Sequence, residues 1–279
     1  MNMKNIKLVA TDLDGTFLKN DRSISVANLE ALHQLGEKGV IRVAATGRNM
    51  RKVMEVLAPE VPFDYIIFSS GAGIYNWKDQ QHIFKRNIEL EAADLLSRYF
   101  RKKDYNFSAF APAPDNHRLW FYRGGQECEE FNRFFSFHNS HSDIFPLNGS
   151  IESGLCQFLL IIPENEEEFA RLKSEIEVQS SEVRVIRATS PVSKGYIWVE
   201  VFHRDVSKGR GVEHLCNLLS IGPEHTLGIG NDYNDLDLLN YTAHSYIAGN
   251  APDAVKQLFN EVPDNDSDAF AHAVQPLLV

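Results

Sequence analysis

Residues 6–16 read IKLVATDLDGT, and the fold turns on how this stretch is read. Ile6 to Asp12 is a short, largely apolar run without polar alternation, the pattern of a strand buried on both faces. It stops at two carboxylates, Asp12 and Asp14, and Gly15 permits a tight backbone course after them. Working outward, Ser25 is placed to cap a helix through Lys38, with Val26, Leu29, Leu32 and Leu35 at helical spacing and Gly39 closing it. Val40 to Ala45 reads as a second buried strand ending at Thr46-Gly47-Arg48. A helix from about Asn49 to Leu57 follows, stopped by Pro59, and then a third strand, Tyr65 to Ser69.

Strands alternating with helices predict an α/β protein with a doubly wound parallel sheet. Ligands bind beyond the carboxyl ends of such strands, near the switch in strand order. Asp12, Thr46 and Ser70 all fall at such ends. From Ile74 the pattern changes. A hairpin is expected around Lys78-Asp79-Gln80-Gln81, and then come helices at 89–103, 127–137 and 164–178. Strand-like runs lie among them at 105–110, 118–123, 156–162 and 183–187. This order predicts an inserted α+β domain of roughly a hundred residues. The buried α/β pattern is expected to resume with a strand at 196–202, a helix at 208–219 and a strand at 226–230. The expected division is therefore a core of 1–85 with 190–279, split by an insertion at 86–189.

The 279 residues carry a net charge of −10 and no acidic tail. An acidic chain of this kind disfavours nucleic acid and anionic membranes as partners. No apolar run is long enough to span a bilayer. Three widely spaced cysteines, Cys128, Cys156 and Cys216, argue against a disulfide framework or zinc site and for buried thiols in a reducing cytoplasm. The composition leaves the oligomeric state open.

Asp12 and Asp14, one residue apart at a strand end, repel each other unless a cation lies between them. Mg²⁺ suits such hard oxygen ligands. One carboxylate can then attack phosphorus while the other exchanges protons with the leaving oxygen and with water. A plain turn that stops a strand reads the same way. Thr46 can hold a phosphoryl oxygen or cap a helix. Lys208 can neutralise a phosphoryl group or sit solvated on the surface. Asn231, Asp232, Asn234 and Asp235 form either a cation-requiring cluster or a polar turn. What separates these readings is the ordered set: carboxylate pair, hydroxyl, lysine, acidic cluster, each at a strand end or helix start.

In that order the chain resembles the haloacid dehalogenase superfamily, and within it the Cof-type phosphatases with a cap inserted between the second and third motifs. DLDGT (12–16), ATGR (45–48), SKGRGVEHL (207–215) and GNDYNDLDLL (230–239) carry the resemblance, with GNAPDAVK (249–256) beyond them. It implies a Rossmann-like core and a Mg²⁺-dependent phosphatase acting on small phosphomonoesters such as sugar phosphates through an aspartyl-phosphate. Asp12 is then nucleophile and metal ligand, and Asp14 acid–base and carbonyl donor to the metal. Thr46 and Lys208 are catalytic and bind the phosphoryl group, with Gly47, Arg48, Ser70 and Asn234 contributing to substrate binding. Asn231, Asp232 and Asp235 complete the metal group. The insertion selects the substrate. Its aromatics, Tyr105, Phe107, Phe110, Trp120, Phe121, Tyr122, Phe134 and Phe135, are expected mostly in its core, and Arg48 or Arg118 could meet a second anionic group. Two departures stand out: Gly230-Asn231 replaces the usual Gly-Asp, and Ser69-Ser70-Gly71-Ala72 the usual Asn-Gly-Ala. Alternative readings are a phosphosugar mutase and a non-catalytic ligand-binding protein, the latter supported only by Asn231.

Overall fold

In the computed structural model, which describes residues 3, 5–138 and 143–279, β1 (Leu8–Thr11) is buried at all four positions. Covering on both faces is what its unbroken apolar run requires. Next come α1 (Val26–Glu37), capped by the Ser25 hydroxyl accepting from the Asn28 N–H at 3.0 Å, and β2 (Ile41–Ala45). The expected helix 49–57 is a single turn, α2 (Met50–Val53). Pro59 and Pro62 follow closely and bar helical continuation. β3 (Tyr65–Phe68) leads through a 3₁₀ turn at Ser69–Gly71 into β4 (Gly73–Asn76) and β5 (Gln81–Lys85), the expected hairpin.

The insertion begins with α3 (Leu90–Lys102), β6 (Phe107–Phe110), β7 (Arg118–Tyr122), α4 (Glu129–His138) and β8 (Asp143–Pro146). It continues with β9 (Gln157–Pro163), α5 (Glu166–Gln179), β10 (Val183–Thr189) and β11 (Tyr196–His203). The chain closes with α6 (Lys208–Leu219), β12 (Thr226–Gly230), α7 (Leu236–Tyr241), β13 (His244–Ala248), α8 (Asp253–Lys256), β14 (Asn260–Val262) and α9 (Ala269–Leu278).

Two units result, Met1–Phe84 with Ser207–Val279, and Lys85–Val206. In the first, the sheet order is β14-β13-β12-β1-β2-β3-β4-β5. Strands β14 to β3 are parallel, and β4 runs antiparallel to β3 at the other side. The connection from β1 leads to β2 on one side, while β12 joins on the other, so the switch in strand order lies at β1. In the second unit the order is β10-β11-β9-β6-β7-β8. Phe100, Phe107 and Phe158 pack edge-on or tilted at its centre. Most of the expected core aromatics are there: Phe107, Phe110 and Phe134 are buried, and Tyr105, Trp120 and Tyr122 pack against the cluster.

One expected boundary moves. The strand expected to reopen the core, 196–202, is β11, which pairs antiparallel with β9 and β10 in the second sheet. Residues 190–206 therefore belong with the insertion. Its residues alternate, Ile197, Val199 and Val201 facing the second unit's core with Trp198 and Glu200 between them. That is the period of an antiparallel strand, whereas β12 is buried throughout. Strands β8 and β14 were not expected; both are short, and β14 holds only Asn-Glu-Val.

The turn after β3 fixes where α6 starts. Ser69, Ser70 and Gly71 take successive φ values of 49°, 53° and 100°. A Cβ on Gly71 would lie 2.2 Å from the Ser207 carbonyl oxygen, directly before α6. At Gly39, where φ is 73°, a Cβ would meet nothing within 4 Å. Gly71→Ala should therefore cost about 2 kcal/mol or more, from strained backbone plus a backbone clash, and Gly39→Ala only about 1 kcal/mol. Urea denaturation of the two variants, followed by fluorescence and circular dichroism, measures the difference.

Candidate active site

The carboxyl ends of β3, β2, β1 and β12 lie in register. Thr11 pairs with Ala44 and with Ile229, and Ala45 with Ile67. The Asp12 N–H donates to the Ile229 carbonyl at 2.9 Å, and the Thr46 N–H to the Ile67 carbonyl at 2.8 Å. The parallel ladder thus sets Asp12, Thr46 and Asn231 side by side, each one residue past its strand.

Lys208, the first residue of α6, is buried at 2% exposure and points at this edge. Its ammonium donates to Asp12 Oδ1 at 2.6 Å, Asp235 Oδ1 at 2.7 Å and Asn234 Oδ1 at 3.3 Å, which uses all three of its protons. Burial opposes its charge, but Asp12 and Asp235 outweigh burial and hold the ammonium well above its ordinary range. Burial pushes the Asp12 carboxyl up to about 8 against the pull of Lys208, and the charges of Asp235 and Asp14 add to the rise. A further cation at Asp12 would relieve that rise. Both oxygens of Asp235, which was expected in the metal group, are engaged within the protein. Its Oδ1 accepts from Lys208, and its Oδ2 accepts the N–H groups of Asn231 at 2.9 Å and Asp232 at 3.1 Å. Gly230 is required there, since a Cβ would fall 2.5 Å from that of Asp235.

Asp14 presents its carboxylate to Arg48 in a two-pronged pair, Nε to Oδ2 at 2.7 Å and Nη2 to Oδ1 at 2.6 Å. Burial works against the Arg48 charge, and the bonds from Asp14 more than offset it, so the guanidinium is raised. Thr46 is buried, and its hydroxyl accepts from the Arg48 N–H at 3.1 Å, which leaves its own proton to donate. The loops after β2 and β3 are tied by Ser70 N–H to the Thr46 carbonyl at 2.9 Å and Ser69 N–H to the Arg48 carbonyl at 2.8 Å. Gly47 lies beside Ser70, whose buried Oγ meets no hydrogen-bond partner among the described residues. Arg118 lies exposed on β7 in the other unit.

Asn231 reaches the carboxylate pair. The inward-facing atom of its amide lies 3.0 Å from the Asp14 carbonyl oxygen, 3.2 Å from Asp12 Oδ2 and 3.1 Å from Thr16 Oγ1. With the amide oxygen inward, Asp12 Oδ2, Asp14 O and Asn231 Oδ1 form a triangle of acceptors that repel one another. Hard oxygens gathered at such distances suit Mg²⁺, which Asp12, the Asp14 carbonyl and Asn231 would hold. The donor set is hard and oxygen-only, with one formal charge. Among the described residues no group of three His, Cys, Asp or Glu side chains could hold a metal ion. The fit therefore depends on a backbone carbonyl and an amide. It is Asn231, next after Gly230, whose side chain faces Asp12 and Asp14, while the Asp232 N–H caps toward Asp235.

Some residues of the site carried no expected role. Thr16 bonds Asn231, and the Asn250 amide donates to the Gly15 carbonyl at 2.9 Å, holding the DLDG turn from the far end of the chain. Both lie within motifs that resemble the family's, which was their only signal. Gly15 has φ 75°, and a Cβ there would be 2.4 Å from the Asn231 amide. Removing Asp235 strips Lys208 of a partner and two N–H groups of their acceptor. Asp235→Ala should destabilise the protein by about 3–5 kcal/mol, and Asp235→Asn by less, as read from chemical denaturation.

The family profile of haloacid dehalogenase-like hydrolases matches residues 9–274. Among curated proteins, the chain is similar to the phosphatase YwpJ of Bacillus subtilis, 25% identical over 98% of this chain and all of that one. It is also similar to the HMP-PP phosphatase of Yersinia enterocolitica, 25% identical over 90% of this chain and 86% of that protein. Among solved structures, the subclass IIB sugar phosphatase BT4131 superposes with a TM-score of 0.75 at 21% identity, covering 98% of this chain and all of that one. BT1666 of Bacteroides thetaiotaomicron superposes with a TM-score of 0.78 at 18% identity, covering 98% of this chain and 96% of that one. With the motif residues brought together at one sheet edge, the chain belongs to the haloacid dehalogenase-like hydrolase family, as an enzyme of the phosphatase kind that its named relatives represent.

Proposed function

We propose that this chain hydrolyses small phosphomonoesters, sugar phosphates and related metabolites, through a phosphoryl group carried on Asp12. The observation that carries the reading is the buried Lys208 ammonium, 2.6 Å from Asp12 and fixed by Asp235. A carboxylate needs no base to act as a nucleophile, but it must meet a dianion. Lys208 offsets that repulsion and holds charge on the transferring oxygens. Mg²⁺, held by Asp12, the Asp14 carbonyl and Asn231, would supply further positive charge at the same edge.

In the first step the Asp12 oxygen forms a bond to phosphorus as the ester P–O bond breaks, and Asp14, protonated and turned out of the Arg48 fork, gives its proton to the departing alkoxide. In the second, Asp14 takes a proton from water, whose oxygen attacks phosphorus and releases Asp12 and inorganic phosphate. Thr46, whose hydroxyl proton is unspent, donates to a phosphoryl oxygen. Arg48 holds the Asp14 carboxylate by a fork and so fixes its orientation. The inserted unit is the selector of the leaving group, as in the resemblance the motifs carry. Relatives named for HMP-PP and for a phosphoribitylamino-uracil suggest the size of metabolite to test.

Phosphate release from sugar phosphates and nucleotides, with Mg²⁺ or with EDTA, tests the reading. Turnover should require Mg²⁺ and fall to background in Asp12→Asn. Undiminished turnover in that variant would overturn it, and transfer to a sugar acceptor in place of water would make the enzyme a mutase. Asp14→Asn should lower kcat by about 10²–10⁴. Arg48→Lys, which keeps the charge and loses the fork, should lower kcat with little change in KM. Added to Asp14→Asn it should have almost no further effect, because the two residues act as one unit.

A further inference from the structure

The Asn231 amide can stand in two chemically different orientations at one set of atomic positions. With oxygen inward it faces the Asp14 carbonyl and Asp12 Oδ2 at 3.0 and 3.2 Å, three acceptors together, and only the Thr16 hydroxyl can donate to it. With nitrogen inward the same atom lies within hydrogen-bonding distance of those oxygens and of Thr16 Oγ1, and its two protons can serve two of the three. The second arrangement sets a donor among the acceptors without a cation; the first sets acceptor against acceptor and favours one. A half-turn about the terminal torsion exchanges them, whereas in a carboxylate, with two equivalent oxygens, the same turn changes nothing. Gly15 provides the room, since its missing Cβ would lie 2.4 Å from the outward side of the amide.

We propose that Asn231 is an amide switch for the cation. Its nitrogen fills the site's electrostatic need when no metal is bound, and its oxygen becomes a ligand when one is. The proposal rests on the catalytic reading above. It adds that this chain trades cation affinity for a metal-free site that holds its own donor. An aspartate at 231 would place a second carboxylate 3.2 Å from Asp12 Oδ2, with no donor to offer it.

The test is made on the full-length, metal-stripped protein. Mg²⁺ and Mn²⁺ binding is measured by calorimetry, and Tm is measured with and without the ion. Asn231→Asp should bind the ion at least tenfold more tightly, as an added ligand charge predicts. Its metal-free Tm should fall by several degrees, and saturating Mg²⁺ should raise its Tm more than that of wild type. Asn231→Ala should also lower the metal-free Tm, because the donor is lost, and should bind the ion more weakly. In ¹⁵N spectra the side-chain amide signal missing from Asn231→Asp should move on Mg²⁺ addition to wild type.

Unchanged metal-free Tm in both variants would overturn the switch, as would equal ion affinity in wild type and Asn231→Asp. Loss of ion binding in Asp232→Asn with retention in Asn231→Ala would overturn it too and make Asp232 the ligand. These results are distinguishable from failure of the catalytic reading, which shows as absent or Asp12-independent turnover. The switch fails alone if turnover requires Mg²⁺ and Asp12 while the binding and Tm differences vanish.

Discussion

The site is organised by one buried ammonium between two carboxylates. Lys208 is drawn out of water beside Asp12 and Asp235, and each of the three would be costly to bury alone. Together they fix the side chain that we propose meets a phosphoryl group, the carboxylate that we propose attacks it, and the turn after β12. Asp235 transmits the constraint further by accepting two backbone N–H groups, so the loop bearing Asn231 is held by the same carboxylate that holds Lys208. The cluster carries one positive and two negative charges, with Asp14 adding to the negative field at Asp12. That residual negative charge makes the edge receptive to a cation.

The sheet makes such a cluster affordable. Its strands end in register at the point where strand order reverses, so residues far apart in sequence arrive within hydrogen-bonding distance on rigid supports. The supports are themselves crowded. Gly71 lies against the Ser207 carbonyl, Gly230 against Asp235, and Gly15 against Asn231. Each glycine marks a place where backbone must approach closely for a functional side chain to be aimed. The strained run Ser69-Ser70-Gly71 belongs to the same economy of space, since it turns the chain beneath the start of α6.

Two side chains act through others. Arg48 meets Asp14 through a planar fork, which orients a half-exposed carboxylate far better than a flexible point charge would. Asn250 secures the carbonyl of Gly15, joining the last third of the chain to the first turn. Neither residue declares this in sequence. Arg48 was expected near substrate, and its pairing with Asp14 follows only from the packing of the loop after β2 beside the DLDG turn.

How much was legible follows from which signals are local. A strand buried on both faces, a carboxylate pair at its end, a lysine opening a helix and an Asn/Asp cluster after a glycine are written in consecutive residues. With them the sequence by itself determined the α/β core and the presence of an insertion, and it singled out residues that the sheet brings to one edge. The second boundary was not legible. β11 reads as a buried apolar run, and only its antiparallel partners β9 and β10 place it in the insertion's sheet. The one-turn α2 and the short strands β8 and β14 likewise depend on neighbours that sequence periodicity does not reveal. Tertiary structure also decided the division of labour within the GNDYND motif. Asp235 spends both oxygens on Lys208 and the backbone, and Asn231 faces Asp12 and Asp14. Sequence supplies the chemical types, because propensity and periodicity act over a few residues. Which oxygen meets which proton is set by contacts more than two hundred positions apart, as between Thr16 and Asn231, and only the folded sheet brings those together.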